Sequence, residues 1–210
     1  MITIEVEQGT TEWLDARLGR ATASRFKDIL ATLKSGSESS ARRNYRAELT
    51  VERLTHAPIE RYRSAAMAWG SDTEDLARTM YMLKTGNPVE QVGFMQHDDI
   101  MAGASPDGLT GLDGTIEIKC YEIANHISAL KSDKMPPEHM AQVQGQLWLS
   151  GRKWCDFISF APELPDNAQI FIQRIQRDDD YIKNLEVEVI KFLGEVDDDI
   201  KFVESYRKEL

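Results

Sequence analysis

The 210 residues of this chain predict a mixed α/β fold: a central mixed β-sheet flanked by helices, with an N-terminal helical arm and a long C-terminal helix. Three observations predict it. Amphipathic helical segments fill most of the first third. Short strand-like runs then cluster between residues 89 and 176, with one helical segment among them. From Asp179 onward a single apolar stripe, Ile182, Leu185, Val189, Leu193, Val196, Ile200 and Val203, recurs at close to heptad spacing. The length allows one domain or two small ones. We expect a single domain over 1–210, made of an arm (1–64), a core (65–177) and the C-terminal helix (178–210).

Taken in order, Ile2 to Glu7 alternates as a strand does. Thr10 or Thr11 can cap a short helix, Glu12 to Leu18, that Gly19 ends. Thr22-Ala23-Ser24 precedes a second helix whose Phe26, Ile29, Leu30 and Leu33 share one face. Ser35 to Ser40 is a polar loop, and Arg42 to about His56 reads as helix, stopped near Pro58. Ala65 to Lys84 is a further helix, with Leu76, Met80 and Leu83 on one side and Gly86 as its stop. Strands are expected at Val89–Met95, Ile100–Ala102, Thr115–Cys120, Trp154–Phe160 and Ala168–Gln176. Between them, Pro137 to Leu149 reads as a helix burying Met140, Val143 and Leu147. Trp13, Trp69, Trp148 and Trp154 read as core packing.

Hydrophobic content of 41% and charged content of 29% suit a soluble globular protein. No run approaches the ~20 apolar residues of a membrane span. The N-terminus lacks a basic segment followed by an apolar one, so no signal peptide and a cytoplasmic location are expected. Cys120 and Cys155 lack metal-binding spacing and are too few for an iron–sulfur cluster; both read as reduced and buried. His56, His97, His126 and His139 are isolated and read as ordinary surface or core histidines. The net charge of −10 is unevenly spread. Residues 16–63 hold 11 Lys/Arg against 5 Asp/Glu, whereas the last 33 residues hold 11 acidic against 5 basic. That pattern fits solvated helix faces, or a basic face for a polyanion with an acidic tail elsewhere.

The most informative stretch runs from Ser105-Pro106-Asp107-Gly108 to Glu117-Ile118-Lys119. Pro106 and Gly108 bracket Asp107 in a turn, and Gly111, Asp113 and Gly114 make a second turn before the strand. The segment therefore folds back, which can bring Asp107 beside Glu117. On that strand Glu117 and Lys119 share a face, while Ile116, Ile118 and Cys120 point the other way into a core. Alone, the Glu117/Lys119 pair is compatible with a solvated strand face. With the hairpin, two carboxylates offer hard oxygens to Mg²⁺ or Mn²⁺, and the ammonium can orient the attacking water of phosphodiester hydrolysis.

These blocks resemble the phage lambda-type exonucleases, also called YqaJ-type viral recombinases, within the restriction-endonuclease-like PD-(D/E)xK nucleases. The likeness runs through Gln8-Gly9 with Trp13, Arg17-Leu18-Gly19, Thr22-Ala23-Ser24, Ala68-Trp69-Gly70 with Glu74, the Asp107 and Glu117–Lys119 segments, and Met140-Ala141-Gln142-Val143-Gln144. The resemblance implies a restriction-endonuclease-like core and a Mg²⁺-dependent 5′→3′ exonuclease on double-stranded DNA, releasing 5′-mononucleotides. It further implies a homotrimeric ring around the duplex and a 3′ single strand handed to a single-strand annealing protein in phage-type recombination, in the cytoplasm of a bacterial host. Asp107, Glu117 and the Ile118 carbonyl would hold two Mg²⁺ ions, with Mn²⁺ able to substitute, and Glu74 would be a third carboxylate. Lys119 would orient the water, and Arg17, Ser24, Ser105 and Gln142 would grip a terminal 5′-phosphate. The alternative readings are a sequence- or structure-specific endonuclease of the same superfamily and a non-enzymatic DNA-binding module. Tyr121 stands where some relatives carry proline.

Overall fold

The computed structural model describes residues 2–33, 35–59, 65–120 and 123–206, with the backbone alone over 65–72. Lys34, Arg61, Arg63, Tyr121 and the side chain of Trp69 thus lie outside the described residues. The chain divides into two compact units. One comprises Met1–Glu60, Gly93–Ser105 and Asp178–Leu210; the other comprises Arg61–Val92 and Pro106–Arg177.

In the first unit, Thr10 caps α1 (Thr11–Arg17), its hydroxyl accepting from the Trp13 N–H at 3.3 Å. A 3-10 turn, Ala23–Arg25, leads into α2 (Phe26–Leu30). The expected continuation to Leu33 does not form. Ala31 turns extended, and Thr32 bridges back to Glu38, leaving Leu33 exposed. Ser39 caps α3 (Ser40–Thr55), which ends on His56 in the left-handed conformation at φ 53°. Asp178 caps α7 (Asp179–Ser205) by accepting the Tyr181 N–H at 2.9 Å, and Asp179 and Asp180 complement the positive end of the helix. Four short strands, β1 (Ile2–Ile4), β2 (Ala21–Thr22), β4 (Phe94–Gln96) and β5 (Ala102–Ala104), pair in the order β1-β4-β5-β2.

The core of this unit joins α2, α3 and α7. Phe26, Ile29, Tyr45 and Leu49 are buried with Ile182, Leu185, Val189, Phe192 and Val196, and Tyr45 stacks on Phe192 at 5.4 Å. Val203 leaves the heptad stripe and is exposed. The charge asymmetry resolves along the same seam. Arg42 donates to both oxygens of Glu195 at 2.8 Å, Arg46 to Asp199 at 2.8 Å, and Arg53 to Asp197 at 2.7 Å. The acidic C-terminal helix thus neutralises part of the basic N-terminal segment from within.

The second unit is built on a five-stranded sheet in the order β3-β6-β7-β8-β9. Its strands are β3 (Val89–Glu90), β6 (Gly108–Thr110), β7 (Gly114–Cys120), β8 (Trp154–Phe160) and β9 (Ile170–Gln176). β7 runs parallel to β8 and antiparallel to β6, while β9 runs antiparallel to β8. The strand expected over Val89–Met95 is split between β3 and β4, in different sheets. Gly93 marks the break: a Cβ there would lie 2.3 Å from the Ile4 carbonyl oxygen. Gly108, expected in a turn, instead opens β6 and pairs with Ile116.

α4 (Ala65–Thr85) covers one sheet face through Ala77 and Tyr81, which pack with Ile116, Ile118, Ile158, Phe160 and Ile170. Of the expected stripe of Leu76, Met80 and Leu83, Met80 packs against this core, but Leu83 is 76% exposed and Leu76 is exposed too. A stripe of Thr73, Ala77 and Tyr81 lies inward because the small Ala77 lets the helix approach the sheet. α5 (Ile123–Ser132), absent from the sequence reading, buries His126 between the Ser159 hydroxyl (2.7 Å) and the Ala168 carbonyl (2.8 Å). α6 (Met140–Ser150) follows a 3-10 turn, Pro137–His139, and ends on Gly151 at φ 69°. Trp148 is buried on α6, while Trp154 is half-buried beneath the Arg174 guanidinium at 3.5 Å. Cys120 and Cys155 are both free thiols, but only Cys155 is buried as expected; Cys120 is half-buried.

Candidate active site

In the second unit, the β6–β7 hairpin places Asp107 against the middle of β7. Its N–H donates to the Ile116 carbonyl at 3.2 Å, and its Oδ2 accepts the Ile118 N–H at 2.5 Å. Gly108 permits this turn: a Cβ there would meet Val89 Cγ1 at 2.3 Å. Glu117 lies on the face of β7 opposite Ile116 and Ile118, as strand alternation demands. It is 1% exposed. Its Oε1 takes Lys119 Nζ at 2.5 Å and Gln142 Nε2 at 2.6 Å, and its Oε2 takes the Gln146 amide. From α4, Glu74 Oε1 accepts Arg78 Nη2 at 2.6 Å. Arg78 also donates to the Asp107 carbonyl at 3.2 Å and to the Asp75 carboxylate.

The electrostatics follow from burial and like charge. Burial first, then the Glu117 and Glu74 charges, raise the Asp107 pKa well above its ordinary value; Lys119 and the Ile118 N–H oppose them. Burial also raises Glu74, with Arg78 opposing and Glu117 adding to the rise. Burial disfavours the charge on Lys119, but Glu117 and Asp107 outweigh it and raise its pKa, so it stays an ammonium that donates rather than a base that accepts. Burial, with the charges of Glu74 and Asp107, lifts the Cys120 thiol to about 12, which makes it a poor nucleophile.

The structure thus brings together Glu74, Asp107, Glu117, Lys119 and Gln142 in one unit. Among the described residues no three His, Cys, Asp or Glu side chains converge as they would round a bound ion. The reason is visible: each carboxylate is drawn to a protein donor, Glu117 to Lys119 and two amides, Asp107 to Ile118, and Glu74 to Arg78. The chemistry of the donor set nevertheless fits a hard divalent cation, whose charge would offset the burial and, after it, the like-charge repulsion that now raise Asp107 and Glu74. Two participants were missed in the sequence. Arg78 had a usable signal, the four-residue spacing from Glu74 that pairs side chains on a helix. Gln146 had the same spacing from Gln142.

The first unit holds Arg17, Ser24 and Ser105. The Trp13 indole N–H donates to Ser105 Oγ at 2.8 Å, and Arg17 Nη1 lies 3.4 Å from the same oxygen. The Arg17 guanidinium lies 3.9 Å over the Trp13 ring. Trp13, expected in a core, is half-buried and serves this cluster instead. Ser24 Oγ lies 3.4 Å from Thr22 Oγ1. Because Ser24 sits in a 3-10 turn before a five-residue helix, the helix-dipole contribution expected there is small.

Residues 12–153 match the YqaJ-like viral recombinase domain. Among solved structures, the alkaline exonuclease LHK-Exo from Laribacter hongkongensis shares 43% identity over 93% of this chain and 96% of its own, with a TM-score of 0.86. Its complex with dAMP gives the same identity and coverage and a TM-score of 0.87. A phage-related exonuclease from Haemophilus somnus 129PT, at 16% identity over 88% and 96% of the two chains, shares the fold with a TM-score of 0.67. A comparison with curated protein sequences finds no match.

Proposed function

Because this chain belongs to the YqaJ-like viral recombinase family, whose solved relatives are exonucleases of restriction-endonuclease-like fold, we propose that it is a metal-dependent 5′→3′ exonuclease on double-stranded DNA. It starts at 5′-phosphorylated ends, releases 5′-mononucleotides and leaves a 3′ single strand for an annealing protein in phage-type homologous recombination. The observation that carries this reading is the placement of Asp107 against the Glu117–Ile118–Lys119 segment of β7, with Glu74 within electrostatic reach. The capture of a deoxynucleoside monophosphate by the 43%-identical relative supports mononucleotide release.

Glu74, Asp107, Glu117 and the Ile118 carbonyl would hold two Mg²⁺ ions, or Mn²⁺ in their place. When bound, such ions supply charge stabilisation for the attacking and leaving oxygens of an in-line displacement. Lys119 donates to the attacking water and orients it. By the family resemblance Arg17, Ser24 and Ser105, and separately Gln142, would serve the terminal phosphate: the guanidinium fork of Arg17 suits a phosphate, and it lies flat over the Trp13 ring. A homotrimeric ring would retain the duplex between turnovers, in the bacterial cytoplasm where phage recombination takes place. No helix among the described residues is long and apolar enough to cross a membrane.

The test compares linear duplex with a 5′-phosphate, linear duplex with a 5′-hydroxyl, and closed circular duplex, each in Mg²⁺ and in EDTA. Rapid digestion of the phosphorylated linear DNA alone, stopped by EDTA, is expected. Loss of the closed circle at a comparable rate would favour an endonuclease instead.

A further inference from the structure

Two of the groups that hold Glu117 come from one helix. Gln142 and Gln146 stand one turn apart on α6 and share a face. Gln142 Nε2 donates to Glu117 Oε1 at 2.6 Å, and Gln146 Nε2 donates to Oε2. Gln146 is 1% exposed, and its own Oε1 is buried with no hydrogen-bond partner. An oxygen left so carries an unrepaid desolvation cost, which a Leu or Met at this position would avoid. The orientation of the amide is fixed by chemistry, because a carboxylate only accepts and the NH₂ end alone can face it. The position therefore carries a side chain whose gain lies in one donated hydrogen bond. Lys119 and Gln142 both engage Oε1, so Gln146 is the group that fixes the second oxygen and stops the carboxylate from rotating.

We propose that Gln146 is a positioning residue that sets the Glu117 carboxylate in the orientation needed to bind the divalent cation. The inference rests on the metal-dependent reading above and deepens it. Gln146 touches neither water nor DNA in this role; it acts through Glu117.

Gln146→Met keeps the length of the side chain and removes the donor. Mn²⁺ binding to the full DNA-free chain, followed by isothermal titration calorimetry, should weaken about tenfold or more, as when outer partners of metal ligands are removed. Digestion of 5′-phosphorylated duplex should need correspondingly more Mn²⁺, with the rate recovering at saturation. Should circular dichroism show that this variant does not fold, Gln146→Asn serves in its place. It keeps an amide but falls one methylene short, and weaker Mn²⁺ binding is again expected. Unchanged Mn²⁺ affinity in the folded variant would overturn the proposal. So would a rate deficit that no Mn²⁺ concentration restores, since that marks a packing role. A wild-type chain that binds no Mn²⁺ and digests DNA in EDTA would remove the metal-dependent reading itself, an outcome visible before any variant is made.

Discussion

Lys119 Nζ stands 2.5 Å from Glu117 Oε1, two residues along the same face of β7, while Asp107 Oδ2 accepts the N–H of the residue between them, Ile118, at 2.5 Å. Three charged groups are thereby tied to three consecutive backbone positions. β7 is held on both sides, by β6 and β8, so the relative placement of these groups depends on a strand that has no free edge. Geometry of that kind tolerates little displacement.

Lys119→Ala removes the donor and leaves the strand intact. Cleavage of 5′-phosphorylated duplex should fall by about 10²–10³-fold, the usual worth of one preorganised donor at the reacting atoms. Duplex affinity, measured by fluorescence anisotropy in Ca²⁺, should change little. Undiminished single-turnover cleavage would remove Lys119 from the chemistry.

Arg17→Ala tests the phosphate grip. A lost charge-assisted hydrogen bond is worth about 1.5–3 kcal/mol, so the rate ratio between 5′-phosphate and 5′-hydroxyl ends should shrink by about 10–100-fold. Affinity for internal duplex should hold. If both ends slow equally, Arg17 is a general backbone contact.

The α3–α7 seam predicts a salt-dependent stability. Glu195→Gln removes the charge that meets Arg42 and Arg46 and should lower stability by about 1 kcal/mol at low ionic strength. Urea midpoints of wild type and variant should draw together in 1 M NaCl, where exposed charges are screened. A gap that persists would mean the packing, not the charge, holds the seam.

Alkaline stability has a sign that can be worked out. Burial raises the Tyr45 pKa above its ordinary value, with the Thr22 N–H, donated to its hydroxyl at 2.9 Å, opposing. The unfolded chain loses this proton near pH ~10 while the folded chain keeps it, so stability falls as pH rises past that point and is unaffected below it. Tyr45→Phe should melt lower than wild type at pH 7, having orphaned the Thr22 N–H, yet show a shallower decline in melting temperature between pH 9 and 11. Parallel declines would show that other groups set the alkaline limit.

Much of this was legible in the chain. Strand alternation put Glu117 and Lys119 opposite Ile116 and Ile118, and the helix signals at Thr10 and Gly86, with the onset at Asp179, lie within a residue or so of the observed ends. What stayed hidden depended on partners distant in sequence. Tyr81 faces inward because Ile116 and Phe160 await it, and no local period could favour it over Leu83. α5 was missed because His126 reads as polar until Ser159 and Ala168 satisfy both ring nitrogens. Gly93 reads as an ordinary strand residue until Ile4 and Val6 are known to press on it. Trp13 offered no hint that its indole would serve Ser105, 92 positions away.

The threading of the first unit bears on how the molecule is made. Its interior pairs Tyr45 with Phe192, so a nascent chain must carry the exposed faces of α2 and α3 while the whole of the second unit emerges from the ribosome. The inserted unit can settle as a body during that interval, since its segments end at Arg177. Translation halted just short of Asp179 would therefore release a product with a finished nuclease sheet and a bare, aggregation-prone cleft where α7 belongs.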